Sequence, residues 1–325
     1  MAAFQSLVDE RCEYLRSYEP PSMKTDATDP MTGELRVIPI VNSVNVIFVG
    51  PVGSGKSSLI GSLCRAISDW PDFPDTVKKS LRKEPTGGTI AFSPQPETSA
   101  DSTPSSSTDD HGTLAFVETK ANEKGTIILQ DTKGDQDYDH SERIVHAHEM
   151  QGYFRDGSRI GLHNALSGSW WQQRFAWQRT INHMPHGVVF VFNGNQVPFF
   201  AGESRDFFIR VFADCKKAGY EPMVVLTFLD QIHERCRMEG RNFEVVKQEK
   251  VDIILAAFDR FNLPANHVML VTNFHDNSTG RFWSPDDGEE QFRVANRQFI
   301  DMGREVVKLC ERFLEAKYHT PCILL

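Results

Sequence analysis

The chain has 325 residues and a mass of 36.8 kDa. This length suits one large domain or two small ones, because single hydrophobic cores stop growing near about 250 to 300 residues. Its apolar fraction of 40% and charged fraction of 24% are ordinary for a globular protein and exclude a chain that is disordered throughout. The net charge of −9 makes nucleic acid an unexpected partner, because binding it requires positive charge to neutralise phosphates.

Cysteine spacing and the first residues indicate the compartment. The six cysteines form no Cys-x-x-Cys pair and no zinc-type spacing with histidine, so reduced thiols are the simplest interpretation. The chain does not begin with a basic region followed by an apolar run, and no stretch approaches the roughly 18 apolar residues of a membrane span. We therefore expect a cytoplasmic protein.

The start of the chain predicts a helix and a linker. Apolar residues at helical spacing over the first 18 positions predict an amphipathic helix that ends before Pro20. Residues 20–34 are rich in Pro, Gly and Asp, as is typical of a linker or loop. We therefore divide the chain into a helix and linker over residues 1–40, one folded domain over 41–318 and a short tail over 319–325.

Short apolar strands alternate with helical patterns along the rest of the chain. The predicted strands are Val44–Val49, Leu114–Thr119, Thr126–Gln130, Val188–Asn193, Met223–Thr227 and Val268–Thr272. The predicted helices are Ser57–Ser68, Arg205–Lys217, Phe243–Phe261 and Gln291–Lys317. The second and third strands resemble a hairpin and predict one antiparallel edge strand. The alternation predicts an α/β fold, with a mostly parallel sheet covered by helices on both faces.

The stretch GPVGSGKSS lies between the first strand and the first of these helices and fits a phosphate-binding loop. The glycines let backbone N–H groups approach a phosphate, the lysine adds positive charge at the β and γ phosphates, and the serine hydroxyl binds Mg²⁺. A chance match in a chain of this length is expected about 1% of the time. The residues predicted to bind the polyphosphate are Gly50, Gly53, Ser54, Gly55, Lys56, Ser57 and Ser58, and Lys56 is also a catalytic candidate. The motif predicts a three-layer P-loop NTPase fold.

Asp131 and Gly134 form an Asp-x-x-Gly element at the end of the strand TIILQ. A carboxylate at the C-terminal end of a strand can hold Mg²⁺ through water, and the glycine N–H beyond it can meet a γ phosphate. We therefore predict that Asp131 joins Ser57 at the metal and that Gly134 joins the phosphate site.

Thr227 and Asp230 form a Thr-x-x-Asp element at the end of the strand MVVLT. A carboxylate at this position can accept two hydrogen bonds from guanine, from N1–H and the exocyclic amine, which adenine does not offer. Sites built on such bonds discriminate by as much as about 10⁴-fold. An ordinary helix cap is the alternative interpretation of this element alone. Its order after the first two elements favours GTP over ATP.

These three elements, followed by VTN after the last strand, resemble the translation-factor-related class of P-loop GTPases. More narrowly, the chain is similar to the interferon-induced protein 44-like family. The stretches that carry the similarity are LRSYEP, GPVGSGKSS, LQDTKGD, HGVVFVFNGNQ, VVLTFLDQ and VTNF. The resemblance implies binding of GTP or GDP with Mg²⁺, and a role near innate immune or stress responses.

The resemblance also assigns roles around the base. It implies that Asp230 recognises guanine and that Thr272 and Asn273 lie near the base from the last loop. Small GTPases usually have a lysine where this chain has Phe228, so we expect an aromatic contact with the base at that position.

Two departures from small GTPases concern hydrolysis. Asp135 stands where small GTPases usually have a water-orienting glutamine, and Gln136 follows it, so both are catalytic candidates. Val52 stands where many of them have glycine, and its side chain is expected to crowd the γ phosphate. We therefore expect a GTPase with low intrinsic turnover.

Two long segments separate core strands. Residues 71–112 are rich in Ser, Thr, Pro, Gly and Asp, and we expect this segment to be mobile without a ligand. The threonine that completes the Mg²⁺ coordination is predicted near its end, and the candidates are Thr113, Thr108 and Thr103. Residues 135–186 are far longer than a usual switch region and contain several tryptophans. They are either a self-association or effector surface or an insertion packed on the sheet.

Histidines in the second long segment are His140, His146, His148, His183 and His186. His146 and His148 are two positions apart and do not face the same side of a helix, so they make a poor pair of metal ligands. We expect no metal site there.

The final residues CILL fit a prenylation signal in which terminal leucine favours geranylgeranyl at Cys322. The alternative is an apolar tail packed on the domain. The preceding segment is not polybasic, and one lipid gives reversible binding. A lipidated chain would be peripheral on internal membranes.

Taken together, these patterns predict a GTP-binding protein that acts as a slow Mg²⁺-dependent GTPase or a nucleotide-dependent switch. The alternatives are an ATP-binding, kinase-like P-loop enzyme and a non-hydrolysing scaffold that binds nucleotide for stability.

Overall fold

The computed structural model describes residues 10–28, 35–68, 116–152, 181–197, 200–272, 275–276, 281–282 and 289–319. Within these ranges the largest sheet has six strands. They are β3 (Val44–Val49), β4 (Val117–Lys120), β5 (Ile127–Asp131), β6 (Gly187–Asn193), β7 (Met223–Thr227) and β8 (Val268–Leu270). Their spatial order is β4-β5-β3-β6-β7-β8. Strand β4 runs antiparallel to β5, and all the other pairs are parallel.

Strand β3 lies in the interior of this sheet. Its sequence VNVIFV is buried along its whole length, as expected for a strand covered on both faces. It pairs on one side with β5 and on the other with β6, so that Val46 lies opposite both Leu129 and Gly187. The carboxyl ends of β3 and β5 therefore lie next to each other.

Helices cover both faces of the sheet. They are α1 (residues 10–16), α2 (Lys56–Ser68), α3 (His140–Met150), α4 (Gly202–Lys217), α5 (Leu229–Glu239), α6 (Phe243–Ala257) and α7 (Glu289–His319). Val46 and Phe48 point into a core shared with α1, α2 and α7, whereas Ile47 and Val49 point into a core shared with α3, α4 and α6. This alternation follows from the two-residue period of a strand. The three layers and the antiparallel edge strand confirm the predicted fold class.

The core on the α4 and α6 face is rich in phenylalanine. The rings of Phe212 and Phe258 lie 4.6 Å apart between centroids, and Phe190 lies 5.3 Å from Phe212. All three side chains are buried. Truncation of such a phenylalanine to alanine costs about 3 to 5 kcal/mol, so this cluster holds the helices firmly on the sheet.

The prediction of a linker or loop over residues 20–34 is wrong in the part that the structure describes. Residues Ser22–Thr28 form strand β1, which pairs antiparallel with strand β2 (Leu35–Pro39) in a separate two-stranded sheet. The segment contains three prolines and two aspartates, which are residues typical of loops, and for this reason the strand SMKTDAT was not predicted. Helix α1 packs through Cys12 and Leu15 into the same core as α2 and α7, so the start of the chain shares the core of the domain.

Other differences lie at the ends of elements. Helix α5 was not predicted, because its sequence LDQIHERCRME is mostly polar. Helix α6 ends at Ala257 and is followed by the 3-10 turn Asp259–Phe261, whereas one helix was predicted across both. Strands β9 (His275–Asp276) and β10 (Arg281–Phe282) form a short antiparallel pair. Among the helices that the structure describes, none has the length and apolar character needed to cross a bilayer.

The described part of the second long segment packs on the domain. Helix α3 lies against α4, where Arg143 forms two hydrogen bonds with Asp214, at 2.7 Å and 3.0 Å. Val145 and Met150 enter the core on this face. This part of the segment is therefore a packed insertion, and residues 153–180, with their tryptophans, lie outside the described residues.

Candidate nucleotide-binding site

The loop from Gly50 to Ser57 connects β3 to α2 at the carboxyl edge of the sheet. Gly50 lies so close to β6 that a Cβ atom there would stand 2.1 Å from the carbonyl oxygen of Val191. The backbone φ angle is +74° at Gly53 and +87° at Gly55, so the loop turns sharply before the helix begins. Helix α2 begins at Lys56, and the first N–H groups of a helix have no partner within it, which suits anion binding.

Lys56 is buried although it carries an ammonium group. Its Nζ donates hydrogen bonds to the carbonyl oxygens of Gly50, at 2.8 Å, and Pro51, at 3.0 Å. Burial lowers its pKa, while the charges of Asp131, Asp135 and Glu149 act in the opposite direction. The loop therefore holds a cation that is stripped of water, which strengthens its attraction for a polyphosphate.

Ser57 and Asp131 meet beside the loop. The register of β3 and β5 sets Asp131 opposite Phe48, close to the point where the loop leaves β3. The hydroxyl of Ser57 donates a hydrogen bond to Oδ2 of Asp131 at 2.5 Å. A hydroxyl and a carboxylate are oxygen donors of the kind that Mg²⁺ prefers, so these two predicted ligands fit that ion.

Gly134 and Asp135 are fastened to the phosphate-binding loop. Asp135 N–H donates to Gly50 O at 3.2 Å, and Val52 N–H donates to Asp135 O at 3.1 Å. A Cβ atom on Gly134 would stand 2.6 Å from Cα of Val52, so only glycine fits in this contact. The Asp-x-x-Gly turn therefore lies directly against Val52, the residue expected to crowd the γ phosphate.

Thr227 connects the loop to the end of β7. Its hydroxyl lies 2.6 Å from Ser54 O and 3.2 Å from Phe192 O, and the side chain is fully buried. The sequence placed Thr227 among the residues that contact the nucleotide. Both of these contacts are with backbone carbonyl groups, so the hydroxyl holds the phosphate-binding loop against the sheet, and a contact of Thr227 with the nucleotide stays a prediction.

Phe228 and Asp230 lie where β7 passes into α5. Phe228 has φ of +60° and ψ of +36°, a left-handed conformation that costs a bulky residue of order 1 to 3 kcal/mol and is found most often at functional sites. Asp230 lies in the first turn of α5 and is partly buried. The last loop is held beside this point, because Leu229 N–H donates to Val271 O at 3.3 Å. Thr272 is therefore near the end of β7, and its place beside the base stays a prediction.

The two catalytic candidates differ in surroundings. The side chain of Gln136 is exposed, and its backbone N–H donates to Oε1 of Glu142 at 3.0 Å. Asp135 is buried, and its Oδ1 lies 2.7 Å from Nε2 of His146. The other ring nitrogen of His146 lies 2.7 Å from Oε2 of Glu149.

Sequence reasoning weighed His146 only as a metal ligand and missed its contact with these carboxylates. The i, i+3 spacing of His146 and Glu149 on a helix was the available signal, because residues three apart share a face. The structure brings Asp135 to the same face across the Asp-x-x-Gly turn.

Several predicted residues lie outside the described residues: Thr103, Thr108, Thr113, Asn273 and Cys322. Their assignments to the metal, the base and a lipid stay predictions.

Comparison with known proteins gives structural similarity only. Neither the protein-family models nor the curated proteins contain a match to this chain. Toc33 from Arabidopsis thaliana, in complex with GDP and Mg²⁺, aligns over 82% of this chain and 86% of its own, at 16% identity and a TM-score of 0.38. The GTP-bound Ski7 GTPase-like domain of S. cerevisiae aligns over 79% of this chain and 50% of its own, at 12% identity and a TM-score of 0.37.

A third similar structure is the signal recognition particle receptor SRb-GTP/SRX complex from Chaetomium thermophilum. It aligns over 78% of this chain and 99% of its own, at 13% identity and a TM-score of 0.31. At such scores these similarities carry no part of the functional argument, which rests on the residues of this chain.

Proposed function

We propose that this chain binds guanine nucleotide with Mg²⁺ and hydrolyses GTP slowly, so that it acts as a nucleotide-dependent switch. The observation that carries the proposal is the contact of Ser57 with Asp131 beside the buried ammonium of Lys56. Two separate parts of the chain contribute to this arrangement: the phosphate-binding loop with the start of α2, and the end of β5.

The phosphates are bound by the loop and the start of α2. The glycine-rich backbone supplies N–H groups, and Lys56 supplies positive charge from a position where burial keeps water away. Lys56 now bonds to the carbonyl groups of Gly50 and Pro51 and would exchange these partners for phosphate oxygens.

Ser57 and Asp131 would hold Mg²⁺, Ser57 through its hydroxyl and Asp131 through its carboxylate or a bound water. When bound, the ion neutralises charge on the β and γ phosphates. The residues of this chain then fix the orientation of the phosphates through the loop backbone and Lys56.

Guanine recognition is assigned to Asp230. A carboxylate at the start of α5 can accept hydrogen bonds from the base, and its place directly after β7 supports this role. The strained backbone of Phe228 is consistent with a function for that residue beside the base, and Thr272 contributes from the neighbouring loop.

Slow turnover is proposed from two features of the γ-phosphate end. Val52 lies against Gly134, and its side chain leaves less room for the γ phosphate than a glycine would. The chain also lacks the usual glutamine directly after the Asp-x-x-Gly element. The narrower similarity to the interferon-induced protein 44-like family supports a role near immune or stress responses.

Thermal unfolding with nucleotides tests the proposal. The melting temperature should rise with GTP and with GDP in the presence of Mg²⁺, and less with ATP, because a ligand that binds only the folded state stabilises it. An equal or larger shift with ATP would favour the kinase-like alternative. No shift with any of the three nucleotides would overturn the proposal.

Measurement of GTP hydrolysis distinguishes a GTPase from a scaffold that binds nucleotide without hydrolysing it. Release of phosphate from GTP under single-turnover conditions should be slow and should depend on Mg²⁺. A bound GTP that stays intact over many hours would favour the scaffold and would contradict the GTPase.

A further inference from the structure

Asp135, His146 and Glu149 form a continuous buried array. Nε2 of His146 lies 2.7 Å from Asp135 Oδ1, and Nδ1 lies 2.7 Å from Glu149 Oε2. The exposed fractions of the three side chains are 4%, 2% and 2%. Both ring nitrogens therefore have carboxylate partners, and the orientation of the ring is fixed on two sides.

The array carries charge inside the protein. Burial lowers the pKa of His146, but the charges of Asp135 and Glu149 and their hydrogen bonds outweigh this effect and raise it to about 10. At neutral pH the ring is thus an imidazolium between two acids. Such an array is not needed for stability alone, because apolar residues of similar volume often stabilise a fold as much or more.

The array borders the phosphate site. Asp135 directly follows Gly134, and its backbone is bonded to Gly50 and Val52 of the phosphate-binding loop. Asp135 and Glu149 are both close enough to Lys56 to act on its ammonium group. The three side chains also line a cleft together with Lys133, Gly134, Glu142 and Val145.

One oxygen of Asp135 is left for another partner. Oδ1 is held by His146, whereas Oδ2 is buried and has no hydrogen-bond partner among the described residues. A buried carboxylate oxygen without a partner is costly, because it has lost water and gained nothing in return. An acceptor of this kind is suited to a donor that arrives with the substrate.

We propose that His146 and Glu149 are positioning residues that hold Asp135 to act on the water that hydrolyses GTP. This inference rests on the proposed GTPase function. The water oxygen forms a bond to the γ phosphorus, and the bond from that phosphorus to the β,γ-bridging oxygen breaks, leaving its electron pair on GDP. The proton released by the water passes to Asp135 Oδ2 and from there to the released phosphate.

The array also separates the two catalytic candidates. The side chain of Gln136 is exposed, whereas the carboxylate of Asp135 is buried and is held by the ring of His146. A carboxylate beside a triphosphate would otherwise be repelled, and the imidazolium of His146 offsets that repulsion. Displacement of a reacting group by ~1 Å can lower the rate of reaction about 100-fold.

Single-turnover hydrolysis of GTP by the full chain tests the proposal, with nucleotide affinity measured in parallel. Asp135→Asn should lower the rate ~100-fold, as expected for loss of a general base. His146→Gln and Glu149→Gln, which nearly preserve volume, should lower it about 10- to 100-fold. The dissociation constants of fluorescent GTP and GDP analogues should stay within about 3-fold of wild type, because these residues act on the water and not on binding.

The matched control is Arg143→Gln, on the same helix. It removes a partly exposed ion pair with Asp214 and leaves every hydrogen bond of the array in place. Its hydrolysis rate should equal that of wild type. Nuclear magnetic resonance of ¹⁵N-labelled histidine supplies a readout independent of activity: two protonated ring nitrogens should be seen for His146 at pH 8 and should be lost in His146→Gln.

The outcomes separate this inference from the proposed function. Failure of the wild type to bind GTP overturns the proposed function itself. Binding of GTP without hydrolysis overturns the hydrolytic part of the proposed function and the inference with it, whereas hydrolysis at the wild-type rate in Asp135→Asn overturns only the inference. The same follows if His146→Gln and Glu149→Gln lose rate and affinity in parallel, because that pattern indicates a structural role.

Discussion

Ser57 and Asp131 are separated by 74 positions in the chain, and their side chains meet at 2.5 Å beside the phosphate-binding loop. The contact arises because β3 and β5 are parallel neighbours whose carboxyl ends lie side by side. Ser57 starts from the loop after one strand, and Asp131 ends the other. A hydroxyl and a carboxylate brought together in this way are prepared to hold one divalent cation.

This pair predicts how nucleotide binding depends on Mg²⁺. In Ser57→Ala or Asp131→Asn, the affinity for Mg²⁺ in the presence of GDP should fall roughly 10- to 100-fold. The measurement is the dissociation rate of a fluorescent GDP analogue over a series of Mg²⁺ concentrations. Ser62→Ala, five positions along the same helix and outside the predicted phosphate-binding residues, is the control for disturbance of α2. Equal Mg²⁺ dependence in Asp131→Asn and wild type would remove Asp131 from the metal site.

Removal of the Thr227 hydroxyl should weaken the support of the phosphate-binding loop without changing the preference for one base over another. Thr227→Val keeps the shape but removes the hydroxyl that reaches Ser54 O, leaving that carbonyl group unsatisfied at a cost of about 1 to 3 kcal/mol. GTP and GDP should both bind more weakly, by the same factor. Thr227→Ser retains the hydroxyl and should bind nucleotide nearly as wild type does. A selective loss of guanine over other bases would instead assign Thr227 to the base.

Asp230 predicts a change of base preference. Asp230→Asn should weaken GTP binding by roughly 100-fold or more, because the carboxylate that accepts from guanine is lost. Xanthosine triphosphate, which presents a carbonyl group in place of the exocyclic amine, should gain affinity for the variant. Competition titrations with the two nucleotides measure this change. Unaltered GTP affinity would leave the guanine assignment without support.

A side chain at Gly134 should clash with the backbone of Val52, and shortening the side chain of Val52 should not relieve this clash. In Gly134→Ala the new methyl group would meet Cα and N of Val52 as well as its side chain, at 2.6 to 2.7 Å. The segment should move off the loop and weaken the two hydrogen bonds that join Asp135 to it. Hydrolysis should fall, and the double variant with Val52→Gly should stay low because the backbone contacts persist. Full recovery in the double variant would show that the side chain alone makes the contact.

His146 predicts a dependence of stability on pH. The pKa of His146 is raised from 6.5 to about 10 in the folded protein, so its stabilising contribution is complete below pH 6.5 and is lost as pH rises through about 10. Between pH 8 and 10.5 the melting temperature of wild type should therefore fall more steeply than that of His146→Gln. Comparison of the two proteins cancels the titration of lysines and tyrosines elsewhere. Parallel curves would contradict a charged His146.

The sequence predicted those parts of the fold that depend on local pattern. Val44–Val49 and Met223–Thr227 were located correctly from their runs of apolar and β-branched residues. Such strands are buried on both faces and carry the strongest signal. Helix α5 and strand β1 are rich in polar residues, so their structure depends on contacts with the rest of the chain, which no local pattern reports.

In the candidate site, too, some residues could be predicted from sequence motifs and others depend on the fold. The phosphate-binding loop has a motif of its own, and the contact of Ser57 with Asp131 followed from the order of strands. The array of Asp135, His146 and Glu149 has no motif, because it depends on how α3 packs beside the Asp-x-x-Gly turn. Thr227 was assigned to the nucleotide by its position, and only the fold shows that its hydroxyl is engaged with Ser54.

Binding of guanine nucleotide through Mg²⁺ underlies every role proposed for this site. It is tested most directly by titration of the purified full chain with fluorescent GTP and ATP analogues, each with Mg²⁺ and with a chelator. The GTP analogue should bind tightly and should bind more weakly when Mg²⁺ is removed, and the ATP analogue should bind at least about 100-fold more weakly than the GTP analogue. Equal affinity for the two analogues, or binding that ignores Mg²⁺, would contradict this proposal.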